Sequence, residues 1–207
     1  MKKFELTSEF ITNIFGTKLF RIKALIEFGN VKAGELGGFV EKEENLSQDG
    51  NAWVCGNACV YDNARVCGDA RVYDNACVCG NARVCDNARV CDNAWVYGNA
   101  CVYGNACVCG DACVCGDACV YGDARVCGDA CVYGDAGYAT VHGFGSEYRT
   151  TTFFKTKAGD IGVKCGCFYG NLSEFRKKVV ETHGETKKAK EYLMLADLME
   201  FRFSDNS

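Results

Sequence analysis

Cysteine and arginine are the side chains through which this sequence could do chemistry. Seventeen cysteines occur in 207 residues, and fifteen of them lie between Cys55 and Cys131. Thiolates gathered at short range hold zinc or copper(I). The repeat described below places Cys91, Cys107, Cys109 and Cys127 on neighbouring coils of one side, and Cys165-Gly166-Cys167 adds a C-x-C pair. Against a metal stand the lack of CxxC pairs and of nearby histidine, and a flat face that does not converge four ligands tetrahedrally. Cysteine codons also lie one base from those of Tyr, Arg and Trp, so drift accounts for the same positions. No cofactor is expected.

Arg71, Arg89 and Arg125 fall in one column with Trp53, and Tyr73 lies beside them. Guanidinium groups next to aromatic rings suit a phosphate, a nucleotide or a carboxylate surface on another protein. Arg and Tyr are also ordinary, soluble strand residues. In the last five units Asp replaces Asn at the second position, as Asp111, Asp117, Asp123, Asp129 and Asp135. Stacked one coil apart, Asp111 with Asp129 and Asp117 with Asp135 would repel. Calcium could relieve this, or the edge could mimic a phosphate backbone; a solvated corner is the plainer expectation.

Bulk properties narrow the classes. The 23 basic and 27 acidic residues give a net charge of −4, which is no electrostatic footprint for nucleic acid. No apolar stretch approaches the ~20 residues of a membrane-spanning helix. Met1-Lys2-Lys3-Phe4-Glu5-Leu6 lacks the apolar run of a signal peptide. An odd number of cysteines without an export signal points to reduced thiols in a cytoplasm.

What must position these side chains is a period of six. From Gly50 the chain reads GNAWVC, GNACVY, DNARVC, GDARVY and onward to GDACVY at 128–133. A degenerate GDAGYA follows at 134–139, and two weaker units, marked by Val40 and Leu46, precede. Ala at the third position and Val at the fifth are one strand period apart, so they share a face while positions four and six point the other way. Gly or Asp followed by Asn or Asp tolerates left-handed backbone angles and marks a corner. The same residues every six positions exclude a helix. Three equal sides make a triangular coil of eighteen residues, and the array makes about five coils stacked ~4.8 Å apart. Small Ala and Val side chains close a core only by stacking on neighbouring coils, so both ends need caps.

The predicted fold is therefore mainly β, a parallel β-helix solenoid over 38–139 between an N-terminal β cap (1–37) and a small C-terminal α+β domain (140–207). In the cap, Lys18 to Leu25 alternates as a strand, and Gly34, Gly37 and Gly38 bracket a turn. Glu41-Lys42-Glu43-Glu44 is a solvated edge that blocks further strand addition. In the C-terminal domain, Arg149–Lys157 and Ile161–Phe168 are expected to pair as a hairpin. Asn171 and Glu174 have capping-box spacing for a helix reaching His183, with Gly184 as its stop. A second helix carries Ala189, Tyr192, Leu193, Ala196 and Met199 as a core stripe.

The spacing of an aliphatic residue four positions before a small one, as in Val54 to Ala58 and Val60 to Ala64, resembles the left-handed parallel β-helix of hexapeptide-repeat proteins. The left hand is implied by that resemblance alone, since the general rule for parallel crossovers is right-handed. The flanks, with Leu36-Gly37-Gly38-Phe39-Val40-Glu41-Lys42-Glu43-Glu44-Asn45-Leu46-Ser47 and Thr182-His183-Gly184, resemble those of uncharacterised bacteriophage and prophage proteins, which implies a bacterial host cytoplasm. Hexapeptide-repeat proteins include acyltransferases, whose chemistry needs a histidine base on a coil or an inserted loop. The array has neither; His142 and His183 lie outside it. The expected function is thus non-catalytic: a binding scaffold for a host protein or small anionic ligand, with no membrane or nucleic-acid partner and open to homo-oligomerisation. Sequestration of a host defence protein or signal is its concrete form. The alternatives are an acyltransferase-like enzyme and a cysteine-column metal binder.

Overall fold

Every third-position Ala and fifth-position Val of the array from Ala52 to Val132 is fully buried. They form one continuous core with Phe4, Ile22, Leu46, Trp53 and Phe154 at its ends. In the computed structural model, which describes all residues except 146, 148 and 205–207, the chain is mainly β. It is built around a parallel solenoid of about five turns, with two helices at its C-terminal end.

Strands one coil apart pair in register at an interval of eighteen residues, as Arg71 with Arg89 and Trp95 with Cys113. The first side is a five-stranded sheet through Trp53, Arg71, Arg89, Cys107 and Arg125. The second runs through Cys59, Cys77, Trp95, Cys113 and Cys131. The third has four strands, through Arg65, Arg83, Cys101 and Cys119.

The corners explain the first two residues of each unit. The leading residue has a left-handed backbone, with φ of +65° to +73° at glycines 56, 68, 80, 98, 104, 110, 116, 122 and 128, and φ of 58° to 59° at Asp62, Asp74, Asp86 and Asp92. A side chain there is strained. Three of the aspartates offset the strain by accepting from the next coil: Asp62 from Gly80 N–H at 3.1 Å, Asp86 from Gly104 at 3.1 Å and Asp92 from Gly110 at 2.9 Å. The second residue builds amide ladders. Asn57 Nδ2 donates to Asn75 Oδ1, Asn75 to Asn93, and Asn93 to Asp111. Asp111 thus ends its ladder as a pure acceptor, and Asp129 accepts from the Tyr169 hydroxyl at 2.9 Å. The Asp135 side chain lies outside the described residues.

The N-terminal cap is a three-stranded antiparallel sheet, β1 (Phe4–Thr12), β2 (Lys18–Ala24) and β3 (Leu36–Val40), which joins the second side where β3 pairs parallel with Cys59–Val60. Gly34 makes the expected turn, with φ of +86°, but Gly37 and Gly38 lie inside β3. A Cβ on Gly37 would sit 2.7 Å from the Trp53 ring, and one on Gly38 2.7 Å from the Ala58 carbonyl. These glycines serve close approach to the first coil rather than a turn. Lys3, 2% exposed, donates from Nζ to the carbonyls of Ala52 and Gly50 at 3.0 and 3.3 Å, closing the open edge.

At the other end the degenerate unit leaves the coil. Tyr138–Val141 pairs antiparallel with Thr151–Lys155, not parallel with the strand eighteen residues earlier. The expected hairpin is therefore the centre of a four-stranded meander, completed by Ile161–Cys165 and Phe168–Asn171. Its Phe154 plugs the solenoid core, and Thr152 Oγ1 accepts from Arg125 N–H at 3.0 Å. Helix α1 (Leu172–His183) starts on the predicted capping box, with Asn171 Oδ1 accepting from Glu174 N–H at 2.9 Å. Helix α2 (Lys187–Phe203) packs Ala189, Tyr192, Ala196 and Met199 against Phe153, Val163 and Phe175.

Candidate functional site

On the first side, coil stacking puts the fourth-position residues Trp53, Arg71, Arg89, Cys107 and Arg125 in one column. Trp53 is not presented to solvent as the sequence reading expects. It is 1% exposed, with the Phe28 ring edge-on at 5.3 Å and β3 across its face. The cap that ends the solenoid covers the first rung of the column. Arg71 and Tyr73 are half-buried one coil on, and Arg89 and Arg125 are exposed.

The C-terminal sheet extends this cationic column. Arg149 and Lys164 meet Arg125 in a cleft of about 420 Å³ lined also by Asp123, Thr150 and Gly166. Gly166 has φ of +57°, and a Cβ there would sit 2.9 Å from the Arg149 guanidinium, so the glycine leaves that group its place. Among the described residues, no carboxylate lies within ion-pair distance of Arg71, Arg89, Arg125, Arg149 or Lys164. His142 reaches the rim, its Nδ1 3.2 Å from Thr150 Oγ1, whereas His183 stacks on Tyr192 within the C-terminal domain. Sequence spacing gives no sign of Arg149 or Lys164, because both come from outside the repeat.

The sixth-position column beside these arginines holds Tyr73, Cys91, Cys109 and Cys127. The Sγ atoms of Cys91, Cys107 and Cys109 all lie within 4.8 Å of one another. Cys127 continues the column next to Cys109, which hydrogen-bonds with it. Hydrogen bonding to Cys107 pushes the Cys91 thiol up to about 11, and hydrogen bonding to Cys109 pushes Cys107 up to about 11. Cys127 is lowered, first by its bond with Cys109 and then by Lys164 and Arg125. No disulfide joins the cysteines of the described residues.

The second side carries a larger cleft, of about 900 Å³, between the β1–β2 hairpin tip at Phe15 and the loop at Lys157. Its floor includes Tyr61, Trp95, Tyr97 and Cys113, and Asp62, Asp111 and Asp129 line its edge.

A family model described as YdcK β-solenoid repeat matches residues 64–80 and 82–98. Both stretches lie within the coils and leave the two caps unmatched. No curated protein matches the chain. No helix of the described residues is long and apolar enough to cross a membrane.

Proposed function

We propose that this protein is a non-catalytic binding platform of phage or prophage origin. It works in the cytoplasm of a bacterial host and holds an anionic ligand on the first side of a left-handed, hexapeptide-repeat solenoid. The observation that carries this reading is the cleft where Arg125, Arg149 and Lys164 converge and where, among the described residues, none of the three is ion-paired with a carboxylate. Cations that converge in a cleft without an ion pair among the described residues are disposed to take a phosphate or carboxylate group by charge-assisted hydrogen bonds. Arg89 and half-buried Arg71 extend the same potential along the coils, which suits an elongated anion or an acidic protein edge. The phage origin rests on the resemblance of the flanks, and capture of a host signal or defence protein is its functional form.

Calorimetric titration with pyrophosphate and with ATP tests the reading. Arg149→Ala should weaken binding about tenfold or more, the worth of one charge-assisted hydrogen bond. Arg71→Ala with Arg89→Ala should weaken ATP more than pyrophosphate. Affinity that is unchanged in both variants would remove this face from consideration.

A further inference from the structure

We infer that Cys91, Cys107 and Cys109 form a three-coordinate site for copper(I) on the first side of the solenoid. The site adjoins the anion cleft, with Arg125 beside both, but its test reads copper and does not depend on that reading.

The argument begins with the repeat. Cys107 opens a strand and Cys109 directly follows it, two residues on and projecting from the same face, while Cys91 directly follows the strand one coil before, paired in register through Arg89 with Cys107 and Val90 with Val108. Stacking at ~4.8 Å brings the three sulfurs together without a loop or a turn, and their mutual separations are all within 4.8 Å. Metal–sulfur bonds of about 2.3 Å in a trigonal plane need sulfurs about 4 Å apart. Small side-chain rotations close that difference.

Coordination number selects the metal. Zinc in a thiolate site takes four ligands. The remaining neighbour, Cys127, stands two coils from Cys91, ~9.6 Å along the stack, too far to share a tetrahedron with it. Copper(I) is the soft ion that thiolates select, and three sulfurs in a plane satisfy it. A copper trithiolate carries charge −2, and Arg89 and Arg125 flank Cys107 in register on both sides to offset it. The Tyr73 hydroxyl hydrogen-bonds with Cys91, a contact that orients a thiolate ligand. Cys91 is buried and the other two sulfurs half-buried, so the ion would be partly shielded from water.

Uptake replaces protons: one copper(I) ion and three thiols give the dianionic trithiolate and three protons, with no change in oxidation state. Because all three protons leave, affinity should fall by about a thousandfold for each unit of pH below neutrality.

The test is anaerobic titration of the reduced protein with copper(I) acetonitrile against a competing copper(I) chelator, read by native mass spectrometry and sulfur-edge and copper-edge X-ray absorption. One copper should survive the chelator, with three sulfur neighbours. Cys91→Ser, Cys107→Ser and Cys109→Ser should each lose at least tenfold in retention, whereas Cys101→Ser on the third side and Arg149→Ala should keep it. Circular dichroism checks that each variant folds, and the absorption spectrum of the unaltered protein needs no variant at all. A two-sulfur spectrum, retention unchanged in the triple serine variant, or copper displaced by zinc with four sulfurs would each overturn the assignment.

Discussion

At the scale of single residues, the corner positions show how an unfavourable backbone is made tolerable. Asp92 occupies a left-handed conformation with φ of 58° where most units have glycine, and its carboxylate accepts from Gly110 N–H. Asp92→Ala keeps the strain and loses the acceptor, so urea denaturation should show a loss of about 1–2 kcal/mol. Asp92→Gly removes both at once and should change stability by no more than about 0.5 kcal/mol. Equal losses in the two variants would mean that the left-handed backbone at Asp92 carries no strain, and no loss in Asp92→Ala would mean that the carboxylate has no part in the corner. Burial of Trp53 belongs to this scale too. In the repeat it occupies the same outward position as Arg71 and Arg89, and nothing local distinguishes it. Only Phe28 and β3, residues brought in from the cap, decide that it is covered.

Elements were legible in the sequence wherever their causes are local. The coil strands follow from Ala, Val and the corner pair, each unit repeating the same physics. Helix α1 follows from Asn171, Glu174 and Gly184 for the same reason. Replacing Asn171 by Ala should lower stability by about 1 kcal/mol in thermal or urea unfolding; no change would mean the helix start is held by packing alone. Elements whose partners are distant were not legible. Tyr138–Val141 has the spacing of a solenoid unit yet pairs with Thr151–Lys155, because the last coil has no further coil to stack on and the meander supplies its hydrogen bonds instead. The cationic cleft was half-legible for the same reason. Arg125 stands in the repeat column, but Arg149 and Lys164 arrive through the fold of the C-terminal domain. The flat-face expectation concerns four tetrahedral ligands; residues two apart along the chain and eighteen apart between coils bring three sulfurs together, without Cys127.

At the scale of the whole molecule, titration of the buried groups sets a stability profile. Burial lowers Lys3 from 10.5 to about 8, and bonding to Cys77 lowers Cys79 from 9.0 to about 7. In both windows the unfolded chain holds more protons than the folded one, so stability rises with pH, from about 7 to 9 through Cys79 and from about 8 to 10.5 through Lys3. Cys85, raised by burial, and Cys91 and Cys107, raised by thiol hydrogen bonds, move from 9.0 to about 11. There the unfolded chain loses its protons first, and three such thiols outweigh the single Lys3, so stability falls from pH 9 to about 11. Unfolding midpoints under reducing conditions should therefore peak near pH 9, and a steady decline from pH 7 upward would contradict the assignments.

The cleft on the second side exists because the hairpin tip at Phe15 and the loop at Lys157 overhang the same side of the prism. Each unit advances the chain by a third of a turn, so the number of units between the caps fixes an angle as well as a length. One unit added or lost would leave every core contact type intact and swing the two overhangs onto different sides, abolishing the cleft. Three units would restore their alignment across a longer floor. The repeat count thus works as a dial with three settings, and lineages that gain or lose units would change the sites made jointly by the caps before they change the fold.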